Sequence, residues 1–67
     1  MNEMEKEQTE LLTVEQIASL LNLKISRVRS AIFRKELPGI FRIGRLVRGN
    51  KKDLLMWLEK LQEEQKL

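Results

Sequence analysis

Apolar residues recur along this chain with two different periods. Val14, Ile17, Ala18 and Leu21 fall three or four positions apart, with Glu15 and Ser19 opposite, which marks one face of a helix. Thr13 stands just before this run and Gln16 follows three residues later, the spacing of a capping box. These signals predict a helix over 14–21, short enough that packing must hold it. Asn22 tolerates the left-handed backbone that ends such a helix, and Leu23 is expected to tuck beneath the turn. In a second helix, predicted over 25–36, Ile25, Val28, Ala31 and Ile32 share one side. Ser26, Arg29, Ser30, Phe33 and Arg34 lie on its other side, with Arg27 at the border.

The period then shortens. Leu37-Pro38-Gly39 ends the second helix, because the residue before proline is driven out of the helical region and Pro-Gly suits a turn. Phe41 and Ile43 alternate with Arg42 as in a half-buried strand. Gly44 and its neighbours suit a tight turn, so a two-stranded hairpin is predicted over 40–43 and 46–49. A lone hairpin is marginal in water and must lean on the helices. Asn50 is placed to cap a last helix, predicted over 51–62, with Asp53 complementing its dipole. Leu54, Trp57, Leu58 and Leu61 form its apolar stripe, with Leu55 at the edge and Met56 and Glu59 facing away. Trp57 is expected to be the main core anchor. Residues 1–10 are acidic and without period, and are expected to be a disordered tail. Residues 63–67 are expected to fray. Two short helices joined by a brief turn make a helix-turn-helix, so the fold class is mainly α with a small β-hairpin, one domain over 11–62.

Composition narrows the chemistry. The 67 residues contain no cysteine and no histidine. That excludes disulfides and thiolate metal sites, and removes the usual base for activating a serine. No carboxylate pair accompanies the basic stretch either, so an enzyme is not expected, and neither metal nor cofactor is called for. No apolar run approaches the roughly 20 residues that cross a bilayer, so no membrane partner is expected.

Charge changes the picture more. Residues 1–15 set five carboxylates against Lys6, a net −4, and residues 53–67 set four against two lysines, a net −2. Between them, residues 16–52 carry ten cations against Glu36 alone, a net +9, and six of the ten are arginine. Ordinary solvated surfaces mix both signs; a nearly single-sign block is the footprint of a polyanion partner. The planar guanidinium fork of arginine suits phosphates and guanine edges.

Leu12-Thr13-Val14-Glu15-Gln16-Ile17-Ala18, Leu37-Pro38, Ile43-Gly44-Arg45, Asp53-Leu54 and Trp57-Leu58 carry a resemblance. Over about residues 11–61 the chain resembles the small MerR-like winged helix-turn-helix domains of the excisionase type. The resemblance implies double-stranded DNA binding, with the second helix in the major groove and the hairpin wing on the adjacent minor groove or backbone. It also implies a bacterial or phage-encoded, nucleoid-associated cytoplasmic protein. The sequence departs from the pattern at four places. Lys24 stands where a serine-like cap is usual, Lys35 where glycine is usual, and Phe33 where a polar residue is common. Gly49 replaces an aromatic or branched residue and points to an early end or a bulge in the second wing strand.

The resemblance and the helical wheel together single out Ser26, Arg29 and Ser30 for base edges, with Arg27 and Arg34 flanking as base or phosphate contacts. Phe33 either meets a thymine methyl group or packs under the hairpin. Arg42, Arg45 and Arg48 are the wing candidates, Arg45 foremost at the tip. Lys51 and Lys52 are candidates for phosphate near the start of the last helix. The expected role is architectural, as a recombination directionality factor serving a recombinase or integrase, with copies monomeric in solution and self-associating cooperatively on DNA. A minimal transcription regulator acting with RNA polymerase is the alternative, and an adaptor for protein partners the third. The long dimerisation helix and effector domain of MerR-type regulators do not fit in 67 residues.

Overall fold

The computed structural model describes residues 10–66. The expected acidic tail, apart from Glu10, lies outside these residues, as does Leu67. Six elements follow in order: β1 (Leu11–Leu12), α1 (Val14–Leu21), α2 (Ile25–Phe33), β2 (Ile40–Ile43), β3 (Leu46–Asn50) and α3 (Lys51–Glu64). Among the described residues no helix is long and apolar enough to cross a membrane.

Local hydrogen bonds explain where each helix begins and stops. The Thr13 hydroxyl accepts from the Gln16 N–H at 3.1 Å, and the Gln16 side chain accepts from the Thr13 N–H at 2.9 Å, so the capping box opens α1 as its spacing predicts. Asn22, at φ 58, ends it in the left-handed region. There the Leu23 N–H donates to the Ala18 carbonyl at 2.9 Å and the Asn22 N–H to Ser19 at 3.2 Å, the two bonds of a Schellman turn. The backbone of Leu23 closes this turn, but its side chain stays 43% exposed instead of tucking beneath it.

The second helix ends at Phe33, earlier than its predicted limit of 36. The stop is again a Schellman turn, made before Pro38 can act. Lys35 sits at φ 59, its N–H donates to Ile32 at 3.0 Å, and the Glu36 N–H donates to Ala31 at 2.9 Å. Lys35 thus holds the position where glycine is usual, without changing the geometry of the exit. The third helix opens on Asn50, whose side chain accepts from the Asp53 N–H at 3.1 Å, and runs two residues beyond the predicted end at 62.

The hairpin is one part of a three-stranded antiparallel sheet in the order β1-β3-β2. Strand β1 was not foreseen; two residues are too few to display a period. It pairs Leu11 with Asn50 and Leu12 with Gly49. On the other side of β3, Ile40 pairs with Gly49, Phe41 with Arg48, Arg42 with Val47 and Ile43 with Leu46. The register runs through Gly49 with neither bulge nor early end, and β3 continues to Asn50. A Cβ on Gly49 would lie 2.8 Å from Ile17 Cδ1 and within 3.3 Å of Ile40 and Leu54 methyls, so helix and sheet meet at a point with no room for a side chain.

This contact also sets the phase of the wing. Paired residues share a face and the face alternates along a strand. Ile40 and Gly49, with Arg42 and Val47, therefore face the helices, while Phe41 and Ile43 lie on the outward face with Leu46, at 40%, 52% and 54% exposure. Arg42, not Phe41 or Ile43, is on the inward side.

The core is Leu12, Ile17, Ala18, Val28 and Leu54. Small Ala18 sits where α1 and α2 approach, as expected. Trp57 is not the anchor: it is half-buried and packs on the margin, while Leu54, one turn earlier, is fully buried beneath Gly49. The first turn of α3 lies at the convergence of helix and sheet, whereas the next turn has already begun to leave it.

Candidate nucleic-acid interface

Helix α2 presents its outer side with Val28 as the buried reference. At 100° per residue, Ser26, Ser30 and Phe33 form the crest opposite Val28, Arg29 lies on one flank, and Arg27 and Arg34 on the other. All six of these outward positions are exposed, whereas Val28 is fully buried. The helix N-terminus has no side-chain cap, since Lys24 occupies the cap position.

Packing then distributes the arginines. Arg29 joins Arg42, Arg45 and Arg48 along a groove of about 490 Å³ between α2 and the wing, with Phe33 and Glu15 also on its walls. Arg27 and Arg34 line a smaller hollow of about 200 Å³ on the other flank, with Ser30 and Glu36. Phe33 projects at the crest, 86% exposed, so the hairpin does not cover it. The wing positions Arg45 at its extreme end. A two-residue turn, Gly44-Arg45, joins the Ile43–Leu46 pair, with positive φ at Gly44 alone (64°), the pattern of a type II′ hairpin. Arg48 is half-buried and held: its Nη1 donates to the Val47 carbonyl at 2.8 Å.

Two candidates stand apart. Lys51 lines a different cleft, with Leu12, Gln16 and Ser19, and its Nζ lies 3.4 Å from Glu10 Oε1, while its backbone N–H donates to the Glu10 carbonyl at 3.0 Å. The structure therefore does not bring Lys51 to the arginine groove. Lys52 is exposed beside it. That ion pair is the only one within 4.0 Å among the described residues, so none of the six arginines is neutralised there by a carboxylate. Glu15 is the groove residue that sequence reasoning missed; the helical wheel of α1 places it on the outer side but cannot say that the wing folds back toward it.

A short helix pair with a left-handed asparagine corner, followed by a wing whose basic tip shares a groove with the second helix, matches a known family. The family model of helix-turn-helix domains covers residues 11–62, from β1 to the penultimate turn of α3. The chain belongs to the helix-turn-helix domain family. No curated protein and no solved structure matches it significantly. In this helix-turn-helix domain DNA is the partner, α2 is the second helix of the motif, and the sheet supplies the wing. The matched span holds every one of the six arginines and both serines of the α2 crest.

Proposed function

We propose that this domain is a sequence-specific double-stranded DNA-binding protein of the excisionase type, an architectural factor that shapes its site for a partner recombinase. Helix α2 lies in the major groove, with Ser26, Arg29 and Ser30 at base edges and Arg27 and Arg34 at its margins. The wing reaches the adjacent minor groove or backbone, Arg45 leading and Arg42 and Arg48 behind it. Copies associate side by side on the DNA. The observation that carries this reading is the set of unneutralised guanidinium groups on both flanks of the α2 crest and along the wing. Cations with no carboxylate within 4.0 Å among the described residues can exchange counterions with phosphates. The architectural role is supported by the resemblance of residues 11–61 to excisionases.

A salt titration of duplex binding tests it. With about five cations on phosphates, log affinity should fall against log salt with a slope of about −4 to −5. A slope near zero would sink the proposal. Gel shifts on DNA from the protein's own locus, run against random duplex, test sequence specificity, and a bend measured on the bound site tests the architectural role.

A further inference from the structure

Phe33 is the most exposed large apolar side chain among the described residues, at 86%, against 58% for Met56. Water disfavours a phenyl ring left open in this way. Its position is not incidental to the charge pattern. It lies on the crest of α2, three residues after Ser30 and four after Arg29. It also lines two grooves at once, the arginine groove and a second of about 530 Å³, and Arg42 lines both with it. Arg29, Arg42, Arg45 and Arg48 therefore share the ring's grooves. An apolar protein partner seated on the ring would have to bury these cations without counter-charges, which is strongly unfavourable. A nucleic acid supplies both needs, anionic phosphates for the cations and an apolar group for the ring.

The major groove offers one such group on a base edge, the C5 methyl of thymine; guanine, adenine and cytosine show only donors and acceptors there. We propose that Phe33 reads this methyl group, so that the target of the domain carries thymine beneath the last turn of α2, next to the base that Arg29 meets. This rests on α2 occupying the major groove. The residue that departs most plainly from a polar recognition face thus becomes a specificity determinant.

The test uses the full chain. Random-sequence duplexes are enriched for binding to the unaltered protein, and the enriched pool is resynthesised with deoxyuridine in place of thymidine, which removes the methyl groups and keeps every hydrogen-bonding atom. The unaltered protein should bind the uracil pool about fourfold more weakly for one methyl contact. Phe33→Ala should bind both pools alike, at the level of the unaltered protein on uracil, and Phe33→Leu should keep part of the preference. Equal binding of both pools by the unaltered protein overturns the proposal, and so does a full thymine preference retained in Phe33→Ala. The salt slope of Phe33→Ala on random duplex separates this from the broader reading. A slope that stays while the unaltered protein binds both pools alike leaves DNA binding standing and the thymine reading refuted, whereas no salt-dependent binding by the unaltered protein removes both. The unfolding midpoint of Phe33→Ala should match that of the unaltered protein, because the ring packs on little.

Discussion

Two backbone positions show how a single residue governs the fold. At Gly49 the nearest neighbours of an added Cβ are methyl groups of Ile17, Ile40 and Leu54. Ile17 and Leu54 are fully buried and have nowhere to swing. Gly49→Ala is expected to cost about 1–3 kcal/mol through overpacking, read as a lower urea midpoint with an unchanged slope. Lys35 works in the opposite direction. It occupies a left-handed corner at φ 59 that charges an L-residue steric strain. Lys35→Gly should raise stability by about 0.5–1 kcal/mol, and an unchanged or lower midpoint would count against the strain. The sequence made the second of these sites visible, because glycine is usual at a helix exit. It hid the first, because a glycine inside a strand reads as a weak point unless the opposing side chains are known.

On the proposed reading, α2 and the wing divide the recognition work. Arg29 stands on α2 and Arg45 on the turn of the wing. Arg29→Ala should cost about 1–3 kcal/mol on a specific site and relax the preference at one base pair, measured against random duplex. Arg45→Ala should weaken specific and random DNA alike and narrow the protected footprint; a footprint of unaltered width would exclude a wing contact. The helices were legible because their signals are local. Thr13 with Gln16, Asn22, and Asn50 with Asp53 each act within four residues, and each appears as read. The wing was legible in period but not in phase. Ile40, Phe41 and Ile43 are all apolar, so the strand alone offers two faces of similar hydropathy. The choice is made by Gly49, which draws Ile40 inward from nine positions away and sets Arg42 on the same face. The grouping of Arg29 with Arg42, Arg45 and Arg48 was out of reach for the same reason, since it depends on which face of the wing lines the groove shared with α2.

For the whole molecule the small core is decisive. Five apolar side chains are buried among the described residues, and Leu54 links the sheet to α3. Stability of about 0.05–0.15 kcal/mol per residue gives a chain of this length roughly 3–10 kcal/mol in total. Leu54→Ala, at about 2–5 kcal/mol, should leave much of the population unfolded near room temperature, seen as lost helical circular dichroism; a cooperative transition close to the original temperature would contradict this. The equivalent change at Trp57 should be milder, because the ring is only half-buried. Side-chain size suggested the wrong anchor: depth is decided by where elements converge, which no stripe on a single helix reveals.

Asn50 has a mechanical consequence. It closes β3, caps α3 through the Asp53 N–H, and donates its own N–H to the Gly39 carbonyl at 2.9 Å. The next residue, Lys51, is already helical and tied to Glu10. The stalk of the hairpin is therefore welded to the third helix, with no linker to act as a pivot. The far end is open by contrast: a Cβ added at Gly44 would meet nothing within 4 Å. The base of the finger thus keeps its angle to the helices, and on the proposed reading that angle fixes where the arginine tip meets the duplex.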